Sequence, residues 1–185
     1  MDLFDTVGSA GAPLVLVTGP AGAGRTTLLA RLREELVQRG TRVSSLRFTP
    51  DGTAAPAVFG TRPEPAAPGL TGRAVPWSSI GPISGARDNP VLARRAAAAA
   101  AGSLLRGDGN ATVLIDDAQW VGHDSLAVLE ALVRRVAGSP VRCVCAVRTP
   151  VPDAVSENGS AALRRLRLDE LVRSVRLPLI RPLWT

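Results

Sequence analysis

Apolar positions in this chain fall into short blocks of two kinds, and the two kinds alternate. Leu14-Val15-Leu16-Val17 is a continuous apolar run, rich in β-branched residues and ending at Thr18-Gly19. Such a run predicts a strand covered on both faces. Leu28, Leu29, Leu32, Leu36 and Val37 then recur at helical spacing, and Gly40 follows as a stop signal. A second strand is expected over Thr41 to Phe48. Asn89-Pro90 opens a helix that runs through Arg94 and the alanines 96 to 101 to about Arg106, where Gly107 follows. The alanine run reads as low complexity that favours helix. Thr112-Val113-Leu114-Ile115 is a third strand, and Asp124 to Ala137 a helix capped by Asp124 and stopped by Gly138. Val141 to Arg148 is an apolar strand ending in arginine. A helix over Ala161 to Leu171 and a last strand over Val172 to Leu177 complete the pattern.

One stretch breaks the alternation. Residues 49 to 90 hold 8 of the 15 prolines with many glycines and alanines, and no period is sustained. They read as a long irregular insertion with one short element near Trp77 to Ile83. Elsewhere, strands alternating with helices predict an α/β fold, a parallel sheet with helices on both faces. At 185 residues the chain is expected to form a single domain, 1 to 185, able to bury a full core.

The turn after the first strand carries the chemistry. Gly19-Pro20-Ala21-Gly22-Ala23-Gly24-Arg25-Thr26-Thr27 meets the pattern G-x-x-x-x-G-K-[ST] at Gly19, Gly24 and Thr26, with Arg25 where lysine belongs. Strand, glycine loop, helix is the order that this motif requires. Glycines let the backbone approach phosphates, and amides at the helix start point at them with the helix dipole behind. All nine residues are therefore candidates for binding a nucleoside triphosphate, which the family resemblance below makes ATP. Thr26 would hold Mg2+, and Thr27 could donate to a phosphate oxygen. Asp116-Asp117 ends the third strand, where parallel sheets place their ligands. Asp116 suits the same Mg2+, and Asp117 suits the orientation or deprotonation of an attacking water. Arginine at position 25 keeps the charge, but its planar fork is bulkier and fixes its donor directions. Phosphate attraction should survive this exchange better than transition-state alignment.

Asp116-Asp117-Ala118-Gln119-Trp120, then Ser125-Leu126, Leu129 and Leu132, resembles the signature of the STAND-type signalling ATPases. The nearest likeness is to large ATP-binding regulators of the LuxR type. It spans roughly residues 13 to 48 and 110 to 180. The resemblance implies a P-loop NTPase sandwich with strand order 5-1-4-3-2. It also implies that Arg148 is a sensor arginine reading the γ-phosphate, so Arg25, Asp117 and Arg148 are the candidate catalytic residues. Gly122 stands where the family usually has an acid, and Met1 to Ala12 lacks the family's leading Gly-Arg-Glu segment. With its end at Thr185, the chain is expected to carry neither a helical lid nor a helix-turn-helix domain.

Composition changes little. The net charge is +6 and the pI about 11.2, and every one of the 22 basic residues is arginine. Pairs such as Arg94-Arg95, Arg134-Arg135 and Arg164-Arg165 fall on expected helix surfaces, which argues against direct nucleic-acid binding. Cys143 and Cys145 alternate on one strand face without a metal-ligand cluster, so they read as small core fillers. His123 has no catalytic partner in the pattern, and Trp120 is expected to pack. No apolar stretch nears the ~20 residues of a membrane span. The acidic start, Met1-Asp2-Leu3-Phe4-Asp5, lacks the basic region of a signal peptide, so a cytoplasmic protein is expected.

Three functional readings follow. The first is the ATP-binding core of a STAND/AAA-type signalling or regulator ATPase, weak in hydrolysis, with itself or a regulator domain as partner. The second is a non-catalytic remnant or fragment of such a regulator. The third is a small P-loop kinase, against which the Asp-Asp-Ala-Gln-Trp run argues.

Overall fold

Six strands form one sheet in the computed structural model, which describes residues 12–52, 54–56, 85, 88–105, 110–149 and 171–178. In chain order they are β1 (Leu14–Gly19), β2 (Arg42–Phe48), β3 (Ala54–Pro56), β4 (Ala111–Asp116), β5 (Val141–Arg148) and β6 (Val172–Arg176). Their order across the sheet is β3-β2-β4-β5-β1-β6. All pairs are parallel except β2 with β3. The five parallel strands thus have the expected order 5-1-4-3-2. The P-loop strand β1 lies between β5 and β6, and β4 between β2 and β5.

Strand alternation assigns the two cores. Every residue of β1 and β4 is buried, as the unbroken apolar runs require of strands covered on both faces. Val15, Val17, Leu114, Val144 and Ala146 meet Leu29, Leu32 and Leu36 of helix α1 (Arg25–Gln38). Leu14, Leu16, Val113, Ile115, Cys143 and Cys145 point the other way. There they meet helices α2 (Pro90–Leu105) and α3 (His123–Val136), which lie against each other. The helices therefore cover both faces.

Details depart from the sequence pattern in instructive ways. Val37, which continues the apolar spacing of α1, turns outward and is 44% exposed. The alanines of α2 are more than helix formers: Ala93, Ala96, Ala97, Ala100 and Ala101 form a buried stripe at spacings of three and four. Asn89 caps that helix, its Oδ1 accepting from the amides of Val91 (3.1 Å) and Leu92 (3.3 Å). Asp124 does not cap α3. The cap is Gly122, and Asp124 lies in the first turn, where its carboxylate accepts from the amide of Gly85 at 3.1 Å. Within the stretch expected to be irregular, Ala54–Pro56 adds an antiparallel edge to β2. The element expected near Trp77 to Ile83 and the helix over Ala161 to Leu171 fall outside the described residues, save for Leu171 itself.

The thiols of Cys143 and Cys145 are fully buried. Burial pushes Cys143 from an ordinary 9.0 up to about 12 and Cys145 well upward, because an apolar core penalises the thiolate. Both behave as small apolar side chains.

Candidate nucleotide-binding site

The loop from Pro20 to Gly24 joins the carboxyl end of β1 to the start of α1. Gly24 is the helix N-cap at φ 77°, a left-handed conformation that a side chain would strain, and space is open where its Cβ would stand. Gly19 is constrained for a different reason. A Cβ there would lie 3.1 Å from both the Ala23 Cβ and the Leu177 carbonyl oxygen. Two bonds hold the loop's base to its neighbours, Thr149 N–H to the Gly19 carbonyl (2.9 Å) and Leu177 N–H to the Thr18 carbonyl (2.7 Å). The first turn of α1, with Thr26 and Thr27 exposed, opens onto the loop. Amides of a first helical turn have no partner within their helix, which is the physical basis of an anion site.

Thr26 and Asp116 meet although 90 residues separate them. The Thr26 hydroxyl donates to Asp116 Oδ2 at 2.9 Å. Asp116 is 1% exposed, and its other oxygen accepts from the amide of Asp117 at 3.0 Å. Asp117 follows in the left-handed region, φ 52°, the only such non-glycine conformation among the described residues. Aspartate tolerates this conformation better than most side chains, and such backbone strain gathers at functional sites. Asp117 Oδ1 accepts from Gln119 Nε2 at 2.9 Å, and Gln119 Oε1 in turn accepts from the backbone N–H of Arg148 at 2.9 Å. Buried Gln119 thus ties the acid pair to the end of β5, where Arg148 is exposed. Trp120 is half-buried against the α2–α3 side of the core, as expected.

Arg25 takes an unexpected course. Its Nη1 donates to the carbonyls of Gly19 and Pro20, the latter at 2.6 Å, so the side chain curls back onto the beginning of its own loop. Burial lowers its pKa. The carboxylates of Asp117 and then Asp116 pull it the other way, and the like charge of Arg148 lowers it further. All four charged groups therefore act on one region.

A fifth charge was missed in the sequence. Arg47, at the carboxyl end of β2, stands opposite Asp116 in the strand register. Its Nη2 donates to Asp116 Oδ2 at 2.7 Å, and its Nε lies 3.5 Å from Asp117 Oδ2. The second approach is an ion pair without a formed hydrogen bond, since that Nε is buried and unpartnered. The hydrogen bond with Asp116 raises the Arg47 pKa above its ordinary value, burial opposes this, and the charges of Asp116 and Asp117 add to the rise. A signal for this contact existed. The expected strand order puts the second strand beside the Asp116 strand, and Arg47 is its penultimate residue.

The oxygens of Thr26 and Asp116 fit a magnesium ion in kind and position. Mg2+ prefers hard oxygen ligands, takes one or two carboxylates from the protein, and fills its shell with water and phosphate oxygens.

Residues 1–144 match the family model for the AAA ATPase domain. No curated protein matches the chain. Among solved structures, the cytoplasmic domain of the type VII secretion ATPase EccC of Thermomonospora curvata aligns over 88% of this chain and 19% of its own, at 11% identity and a TM-score of 0.42. PCH-2 of C. elegans aligns over 95% of this chain and 37% of its own, at 16% identity and a TM-score of 0.44. At these scores neither likeness carries an argument about function, and the chain spans well under half of either protein.

Proposed function

This chain belongs to the AAA ATPase domain family, and from that premise we propose that it is a nucleotide-sensing core that binds ATP weakly and hydrolyses it slowly or not at all. Membership makes it an ATP-binding AAA-type core with the fold of a P-loop NTPase. The finer assignment rests on Asp116-Asp117-Ala118-Gln119-Trp120 and on the fate of Arg25. In this reading the chain is the ATPase core of a STAND-type regulator resembling the LuxR-type proteins, with a second copy or a regulator domain as the element that reads its nucleotide state.

The phosphates of ATP would lie over the loop, against the backbone of Gly22 to Thr27. Thr26 and Asp116 would hold a magnesium ion, whose part is to neutralise charge on the β- and γ-phosphates. Asp117 is the group to orient the attacking water, with Gln119 fixing its carboxylate. Arg148 is the cation for the γ-phosphate, at the end of the strand beside β1. Each of these residues offers a role in hydrolysis by in-line displacement.

The observation that carries the reduced activity is the Arg25 contact with the Gly19 and Pro20 carbonyls. A lysine at this position would present a compact ammonium between the β- and γ-phosphates. Arg25 spends a guanidinium nitrogen on bracing its own loop, which leaves the transition state without that fixed charge. The test is a titration with ATP and magnesium, followed by tryptophan fluorescence or thermal shift. Saturable binding at micromolar to low millimolar ATP supports the reading. Absence of binding, with the protein folded, favours a non-catalytic remnant. Transfer of phosphate to a small acceptor would favour a kinase.

A further inference from the structure

Asp116 is the residue expected to face a metal ion, yet a cation from the chain itself already satisfies it. Its Oδ2 accepts from both the Thr26 hydroxyl (2.9 Å) and Arg47 Nη2 (2.7 Å), and its Oδ1 from the Asp117 amide (3.0 Å). At 1% exposure the carboxylate has little access to water, so these three donors supply most of its solvation. Arg47 is the more exposed member of its pair with Asp116, its side chain 42% exposed against 1% for the carboxylate. A guanidinium with that exposure can reach other acceptors once another cation satisfies Asp116. A guanidinium also stays charged at any physiological pH, so its presence beside Asp116 does not depend on protonation.

We infer that Arg47 is a built-in counter-ion for the Asp116–Asp117 pair, which lets the loop take a nucleoside triphosphate without a divalent cation and must leave Asp116 before a metal can be held there. The inference deepens the ATP-binding reading and rests on it. Two carboxylates beside a phosphate site would repel a triphosphate strongly across a few ångströms of poorly solvated space. A metal ion ordinarily removes that repulsion. Here three arginines, Arg25, Arg47 and Arg148, stand against the two acids in the same region. The region is thus cationic before any metal enters. Metal binding then requires Arg47 to be displaced, which weakens the metal's hold. A triphosphate can assist that displacement, since its own oxygens can accept the guanidinium in a two-pronged contact.

The test measures the affinity of the full chain for a fluorescent ATP analogue, once in EDTA and once in about 5 mM magnesium, for the natural protein, Arg47→Gln and Arg47→Lys. For the natural protein the two affinities are expected to agree within roughly threefold. Arg47→Gln is expected to bind at least about tenfold more weakly in EDTA and to regain affinity in magnesium, with Arg47→Lys between the two. A merely structural arginine would weaken binding equally in both buffers. Equal losses, or a natural protein that needs magnesium as strongly as Arg47→Gln does, would overturn the inference while leaving the nucleotide site standing. Failure of every folded variant to bind in either buffer would overturn both. Asp116→Asn combined with Arg47→Gln removes the charge to be balanced, and is expected to restore binding in EDTA toward the natural value. Should Arg47→Gln fold poorly, Arg47→Lys and the double variant still decide the matter.

Discussion

Gly24 and Asp116 show how single residues set the site's tolerance. The left-handed N-cap at Gly24 stands in open space, so a side chain there meets no clash and only the backbone term is paid. Gly24→Ala is therefore expected to destabilise by about 1–2 kcal/mol, read as a lower unfolding midpoint, with a further loss in nucleotide affinity. Gly19→Ala acts by contact instead: its Cβ would stand 3.1 Å from the Ala23 Cβ and the Leu177 carbonyl oxygen, so those neighbours would have to shift by a few tenths of an ångström. Removing charge at Asp116 has the opposite sign for metal-free nucleotide. Asp116→Asn is expected to strengthen binding in EDTA and to abolish any gain from magnesium, checked by the same titration.

Most of the candidate site is assembled from residues that the sequence singles out one at a time, and the exceptions have physical causes. The loop, Thr26 and the acid pair were legible because each needs a particular residue at a particular spacing. Arg47 needed the expected strand order as well, because its partner is set by strand register between segments nearly 70 residues apart. The course of the Arg25 side chain was hidden. Its charge follows from the sequence, but its choice of loop carbonyls over open space depends on where the turn places those oxygens.

At the scale of elements, the alternation of strand residues predicts which helix each side chain meets. β5 is the clearest case: its two cysteines face α2 and α3, while Val144 and Ala146 face α1. Their raised pKa values link this packing to pH. In the unfolded chain the thiols ionise near their ordinary pH, whereas in the native core Cys143 keeps its proton to about 12. The native state then binds more protons, so stability is full below about pH 9 and falls as the pH rises toward 12. The expected slope is on the order of 1.4 kcal/mol per pH unit for each thiol. Denaturant unfolding from pH 8 to 10.5 checks it, and Cys143→Val with Cys145→Val should flatten the curve. Thiol-specific labelling of the native protein should be correspondingly slow.

Helix α2 belongs to this scale as well. Its buried alanines let it lie close to α3, a role that composition alone did not suggest. Ala97→Leu would force a large side chain into a position 1% exposed, so a loss of about 1–3 kcal/mol is expected by chemical denaturation. Ala99→Leu, on the exposed side of the same helix, should be nearly neutral. The cap of α3 stands two positions before the one expected because the helix already begins at His123, which leaves Asp124 inside the first turn, accepting from the amide of Gly85.

For the whole molecule, a sheet of order β3-β2-β4-β5-β1-β6 brings the ends of β1, β2, β4 and β5 to one edge. Thr26, Arg47, Asp116 and Arg148 are gathered there by topology, although more than a hundred residues lie between the first and the last. No helix among the described residues is long and apolar enough to cross a membrane. Binding at such an edge should stabilise the fold as a unit. Nucleotide at a hundred times its dissociation constant is expected to add about 2.7 kcal/mol, seen as a rise in the thermal midpoint.

In the proposed reading, Arg25 decides between an ATPase fold that turns over and one that chiefly binds. The direct measurement is ATP affinity and phosphate release, in magnesium, for the natural protein, Arg25→Lys and Arg25→Ala. The account predicts that Arg25→Lys binds at least about tenfold more tightly and gains measurable turnover, while Arg25→Ala loosens the loop and loses affinity. If the lysine variant folds and gains neither affinity nor turnover, Arg25 is not what limits this site.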